Sequence, residues 1–487
     1  MTESLTEAIS AMTTKAEIFY HDIGDYLNRE EKLAIVKKFG SITNVDWQTL
    51  RPNESGDWIN QRNDLFDTFI PLAPEKKFDT NAQTFFSTIA IGVATNRDVW
   101  AYNFCRKALE NNMQRMIDFY NEQCSEFENE KKKNSDLVIE DFIDTDAKKI
   151  SWTVNLKNDV SRNSPHNFDN KNTISGIYRP FCKQYLYYDR HFIERPGIWQ
   201  KIFPASKYEN FVIGISGIGS SKDFSTLIAN TISCLDLVDK TQFLPLYYYE
   251  ENKNQAKSLF DTNTEYTRRD GVSDFILSQA RTRYGKTVIK EDIFYYVYGF
   301  LHSPDYREKF VNDLKKMLPR LPLVDTVKDF HAFSKAGCTL AELHLNYETV
   351  PPHPDVKIEV SGVGGISETR NLTPDTFFVE KMRFPAKGQK DTIIYNSKIT
   401  VSNIPAKAYE YVVNGKSAIE WIMECYHVKT DKDSGIKNDP NDWATEHGKP
   451  SYILDLLLSV INVSVQTVDM VKGLPKVEWE VTPKGDN

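Results

Sequence analysis

Between Tyr178 and Lys207 the chain reads YRPFCKQYLYYDRHFIERPGIWQKIFPASK, and this run constrains the fold more than any other. Its rings (Tyr178, Phe181, Tyr185, Tyr187, Tyr188, Phe192, Trp199, Phe203) alternate with cations (Arg179, Lys183, Arg190, Arg195, Lys201, Lys207). Only Asp189 and Glu194 oppose them, so the run is locally about +4 in a chain of formal net charge -8. Two readings are open. One is an aromatic strand pair with solvated cations between the rings. The other is a binding face whose cations reach phosphates or guanine edges while its rings stack on bases or hold the cations in place.

At 487 residues the chain exceeds one ordinary core, and about two to four domains are expected. Apolar content of 40% and charged content of 26% fit a soluble globular protein. The six cysteines (Cys105, Cys124, Cys182, Cys234, Cys338, Cys425) form no CxxC pair, which speaks against a zinc site or disulfide framework and for a reducing cytoplasm. The N-terminal residues lack a basic stretch followed by an apolar one, and no run reaches the roughly 18 apolar residues of a membrane span. The expected location is the cytoplasm, with no membrane partner.

The expected fold class is mixed α/β (α+β) and multi-domain, with a helical N-terminal part before a mixed α/β domain. Residues 3–15 read as a short helix, and Glu17 to His21 alternates like a strand. Asn28 caps a helix to about Phe39, with Glu30 and Glu31 in its first turn, Lys37 and Lys38 in its last and Gly40 beyond. Trp47 to Trp58 reads as loop, Ala82 to Ala94 as a buried helix, and Val99 to Cys124 as an amphipathic helix. Asn121 to Lys149 is dense in charge and makes the best boundary. Phe211 to Ser216 and Phe243 to Tyr249 are the clearest strands, and Ser220 to Asn230 resembles a short helix. Ile289 to Ser303 is helical, Pro304 opens a further helix to about Leu318, and Ala336 to Asn346 adds another. From Val350 the chain turns β-rich, with a hairpin of Asp391 to Tyr395 and Lys398 to Val401. Helices near Ser417 to Tyr426, Tyr452 to Val460 and Val463 to Lys472 close it.

Motifs for chemistry fail on inspection. GISGIGSSK (Gly214 to Lys222) lacks the Gly-Lys-hydroxyl order of a phosphate loop, leaving a strand-to-helix turn or a turn whose amides, Ser220, Ser221 and Lys222 touch a DNA phosphate. NDPNDW (Asn438 to Trp443) and VPPHPD (Val350 to Asp355) miss the [DN]PP[YF] order of an adenine methyltransferase. Pro304-Asp305 with Asp313 and Lys315 sits on one helical pattern, whereas a nuclease needs carboxylates converging on a metal. His191, beside Asp189 and Glu194, suits a groove-lining or phosphate-contacting role better than a metal. A second basic cluster, Tyr266 to Lys290, sets Arg268, Arg269, Arg281, Arg283, Lys286 and Lys290 against Asp270 and Asp274. Its bland reading is the solvated face of an amphipathic helix.

The 178–207 run resembles the C-terminal specificity region of type ISP restriction-modification enzymes. So do GISGIGSSKDFSTLIAN (Gly214 to Asn230), FLPLYYYEE (Phe243 to Glu251), YGKTVIKEDIFYYVYGFLHSPDYREKF (Tyr284 to Phe310) and YVVNGKSAIEWIMECY (Tyr411 to Tyr426). AEIFYHDIGDYLNREEKL (Ala16 to Leu33) and GVATNRDVWAYNF (Gly92 to Phe104) are similar to the stretch after the methyltransferase core in such enzymes. The resemblance implies residues 1–125 as the end of a methyltransferase-like helical part, 126–150 as a charged linker, 151–349 as the first part of a target-recognition domain and 350–487 as its β-hairpin and helical remainder. It implies recognition of double-stranded DNA, positioning an adenine for methyltransferase, helicase-like and nuclease parts of the same system. No cofactor is expected in this chain; S-adenosylmethionine, ATP and Mg are expected for the parent enzyme. No catalytic residue or metal ligand is expected either.

From residue type and local charge, phosphates would be held by Arg179, Lys183, Arg190, Lys207 and Lys222, with Tyr187 beside them. Base edges would be read by some of Arg195, Arg268, Arg269, Gln279, Arg281 and Arg283. Two alternatives stand beside this reading: part of an active adenine-N6 methyltransferase or restriction enzyme, and a stand-alone specificity subunit docking on a separate catalytic chain. An exposed apolar face within residues 1–125 would favour docking.

Overall fold

The computed structural model describes residues 17–75, 78–252, 265–361 and 373–479. The helix expected at 3–15 lies outside them. The described chain divides after Asn63 into two compact units.

In the first unit Ile18–Tyr20 pairs antiparallel with Gln48–Leu50. That strand occupies part of the stretch expected as loop from Trp47 to Trp58; Ile18 set opposite Leu50 gives it a partner that local composition does not show. Between them runs the helix Arg29–Phe39, closed at its start by a reciprocal capping box of Asn28 and Glu31 and followed by Gly40 at φ +67°. This helix buries none of its residues.

In the second unit an antiparallel sheet runs in the order Ala90–Ile91, Gln242–Pro245, Val212–Ile215, Thr226–Ala229. Two expected helices are corrected here. Ala82 to Ala94 is not helical but bends into the short strand Ala90–Ile91, because its amides bond to other segments: Phe85 to Pro71, Ser87 to Gly271 and Val93 to Ser233. Gly92 lies so close to the next backbone that a Cβ would stand 2.5 Å from Leu235 Cα. Ser220 to Asn230 ends in the strand Thr226–Ala229, buried throughout and paired with Val212–Ile215. A second sheet sets Cys182–Tyr187 between Tyr102–Asn103 and Thr173–Arg179. A separate hairpin pairs Tyr247–Glu251 with Tyr266–Asp270.

The helices Lys290–Phe300 and Val327–Leu345 pack at close range. A Cβ at Gly299 would stand 2.2 Å from Phe333 O, and one at Gly337 1.9 Å from Tyr295 O. A buried relay ties them to the sheet: Ile228 N–H donates to Tyr298 Oη, which donates to His344 Nδ1; His344 Nε2 donates to Thr467 Oγ1. Thr467 Oγ1 donates in turn to Val463 O.

Thr467 belongs to Tyr452–Lys472, one helix where two were expected. By length and composition it is apolar enough to cross a membrane, which corrects the expectation of no such stretch; 72% of its apolar window is buried in the fold. Ser459, Ser464 and Thr467 interrupt the apolar run in sequence, but Ser464 and Thr467 bond back to their own helix.

Residues 126–150, expected as a charged linker, send Phe127, Ile139, Ile143 and Ile150 into a buried cluster with Tyr187 and Phe192, while their charges face outward. Another cluster gathers side chains from Ala90 to Val468.

Candidate nucleic-acid interface

Most rings of the 178–207 run are interior. Tyr187 is fully buried, stacked 5.3 Å from Phe168 and accepting the Asp169 amide at 3.1 Å, so no ring face remains for a base. It is a core residue, a correction to its expected place among DNA contacts. Trp199 is buried with its Nε1 on Ile91 O, and Tyr188 Oη donates to Pro196 O at 2.8 Å.

Two cations of the run are turned inward as well. Arg179 lies over the Tyr178 ring, donates to Cys234 Sγ at 2.9 Å, and sits between Asp98 (3.6 Å) and Asp236 (3.5 Å). Burial pushes the Cys234 thiol up to about 12. Lys183 is paired with Glu348 beside the Tyr347 ring.

His191 is not the groove-lining histidine expected. Its ring stacks on His166 at 4.7 Å and meets Tyr120 edge-on, and burial lowers its pKa. Arg190, Arg195 and Lys207 stay exposed. Arg190 reaches Gln200 at 3.5 Å, and Lys207 faces Glu265 at 3.4 Å.

The loop after Val212–Ile215 turns into a strand, not a helix. The Asp239 carboxylate accepts from Ser220 Oγ and the Ser221 amide, each at 2.9 Å, so an internal anion already holds the groups expected to meet a phosphate. Lys222 remains exposed, its stem against Gly415.

The 247–270 hairpin separates its residues by strand alternation. On one face Arg268 lies over the Tyr247 ring at 4.2 Å, beside Tyr249 and Tyr266, both of which pack on Tyr208. On the other, Arg269 donates to Glu250 at 2.9 Å. Farther along, the helix Asp274–Tyr284 shows Gln279, Arg281 and Arg283 to solvent. Arg281 Nε donates to Val288 O at 2.8 Å, and Arg283 is paired with Asp325. The fold therefore joins Lys207 to the hairpin and leaves Arg179 and Lys183 elsewhere, tied to internal acids.

A cleft of about 810 Å³ opens beside this surface, lined among others by Lys171, Gln200, Phe203, Tyr208 and Asn230. Residue type and local charge do not single out Gln200, Tyr208, Tyr247 or Asn230. Only the alternation of Tyr247 and Tyr249 is a signal, since a strand puts both on one face. Among the described residues, no group of three or more His, Cys, Asp or Glu could hold a metal ion.

A family profile described as the Type ISP C-terminal specificity domain matches residues 84–456. A search of curated proteins finds no match. Among solved structures, a nuclease-deletion mutant of the Type ISP restriction-modification enzyme LlaGI in complex with a DNA substrate mimic is 39% identical, with TM-score 0.79 over 96% of this chain and 40% of that one. The ATP-dependent Type ISP enzyme LlaBIII bound to DNA is 36% identical, with TM-score 0.80 over 97% of this chain and 28% of that one. A DrdV–DNA complex is 27% identical, with TM-score 0.77 over 96% and 44%. The chain thus spans less than half the length of each.

Proposed function

Because the chain belongs to the Type ISP C-terminal specificity family, we propose that it recognises a DNA target sequence for a restriction-modification system. The likeness of nearly its whole length to two Type ISP enzymes solved with DNA or a DNA mimic, at 36–39% identity, carries this reading. The exposed cations support it. In this reading the exposed Lys207, Lys222 and Arg190 would meet phosphates, and the exposed Arg195 and Arg268 would face base edges. An overall acidic chain is no obstacle, because a duplex senses the local face.

The partners in this reading are the methyltransferase, helicase-like and nuclease parts of the same system, acting in the cytoplasm. S-adenosylmethionine, ATP and Mg belong with those parts; no residue of this chain is assigned to hold them. One observation favours docking by the first unit: Leu33, Val36, Ile42 and Trp58 are exposed there. The methyltransferase part is the partner this reading names, whether in one polypeptide or on a separate chain.

The test is anisotropy titration of the 487-residue chain with a randomised duplex pool at two salt concentrations, then sequencing of the bound fraction. Binding that weakens steeply with salt and enriches one motif is expected. No binding at low salt would end the reading.

A further inference from the structure

We infer that Arg268 reads a guanine of the recognised sequence, and that Tyr247 and Glu291 position it. This rests on the DNA reading above and names the base and the residues that the reading leaves open.

Arg268 lies on the strand Tyr266–Asp270, with its guanidinium carbon 4.2 Å from the centre of the Tyr247 ring. A ring face beneath the guanidinium restrains the fork by cation–π attraction. The ring is held in turn, because Tyr247 Oη donates to Glu291 Oε1 at 2.6 Å. Glu291 sits in the first turn of Lys290–Phe300, a helix anchored by its buried face. The chain of support therefore runs from core helix to carboxylate to ring to guanidinium.

Acids near Arg268 on this strand pair already have partners. Asp270, two residues along the same strand face, is taken by Lys290 at 3.0 Å. Glu250 is taken by Arg269 at 2.9 Å, and Glu265 by Lys207 at 3.4 Å. Among the described residues none accepts a hydrogen bond from Arg268. The other candidate arginines differ. Arg179, Arg269 and Arg283 have carboxylates, Arg281 donates to a carbonyl, and Arg195 lies over no ring among the described residues. An exposed, ring-supported fork with no acceptor among the described residues suits bidentate contact to guanine O6 and N7. Tyr208, Tyr249 and Tyr266 extend the same face as an apolar surround.

The experiment repeats the pool selection with R268A, R268K, Y247L, Y247F and R269A, each checked for an unchanged melting temperature and titrated against salt. The wild-type motif is expected to hold a guanine at a position where R268A loses preference by about tenfold or more. R268K keeps the charge without the fork, so it is expected to lose the same preference with its salt dependence retained. Y247L removes the platform and should weaken the same position. Y247F keeps the ring, loses the Glu291 bond and should weaken it less. R269A should leave the motif intact. If the wild type enriches a motif that R268A and R268K share in full, the inference fails while the DNA reading stands. A wild type that binds without enriching any motif overturns it too. A wild type that does not bind removes the DNA reading itself.

Discussion

Tyr187 and Tyr247 both lie near arginines in tyrosine-rich strands, yet one is sealed in the core and the other lies beneath an exposed guanidinium. The segments around them differ in the same way. The 178–207 run is the more basic and aromatic by composition, but many of its rings fill the interior and Arg179 and Lys183 meet internal acids. The 247–270 hairpin is a thin two-stranded element. Its adjacent arginines part company only because successive side chains face opposite sides. A basic-aromatic composition is therefore a poor guide to a binding face. The decisive quantities are whether a ring has an exposed side and whether a cation has already met an acid.

That contrast is breakable at several points. The largest effect is expected at Tyr187→Ala, which empties a fully buried site and should cost about 3–5 kcal/mol of stability, read by chemical denaturation, with the selected DNA motif unchanged. A changed motif in the folded variant would put Tyr187 back in the interface.

Acid should act on the same interior. Burial lowers the pKa of His344 to about 3, below its ordinary value near 6.5, so the folded state resists its protonation. A group with a depressed folded pKa leaves stability intact above its unfolded pKa, and stability falls as pH drops through the window from about 6.5 to about 3. A loss of a few kcal/mol over that window is expected, and His344→Gln should flatten the profile.

Arg179→Met should cost roughly 2 kcal/mol, between the values for exposed and buried ion pairs, because Asp98 and Asp236 lose their shared cation. DNA affinity and its salt slope should not move; a slope reduced by about one phosphate contact would show Arg179 reaching the backbone. The smallest effect belongs to Arg269→Ala. It removes an exposed pair with Glu250, is expected to leave the melting temperature unchanged, and should leave sequence preference untouched.

Local signals were legible wherever the physics was local. The Asn28 cap, Pro304 at the start of its helix and the turn between Tyr395 and Lys398 were all readable, because each is settled within a few residues. The family was legible too, since many sequence words stand in one order along the chain. Ala82 to Ala94 and Ser220 to Asn230 misled because small and apolar residues suit a buried helix and a buried strand alike. Their hydrogen-bond partners lie far off in sequence.

The sequence by itself determined the composition of the candidate interface: which segments carry cations, which carry rings, and which motifs of catalysis are not spelled out. Only the tertiary structure decided which of those side chains remain available. An arginine is occupied or open according to acids that approach it from elsewhere, such as Asp98 and Asp236 at Arg179, or from across a strand pair, such as Glu250 at Arg269. Among the described residues Arg268 meets no acceptor, with nearby Asp270 claimed by Lys290, and it rests on Tyr247, which Glu291 anchors. Charge pairing and ring burial depend on distance in space, and local sequence carries that distance only within a turn or a strand.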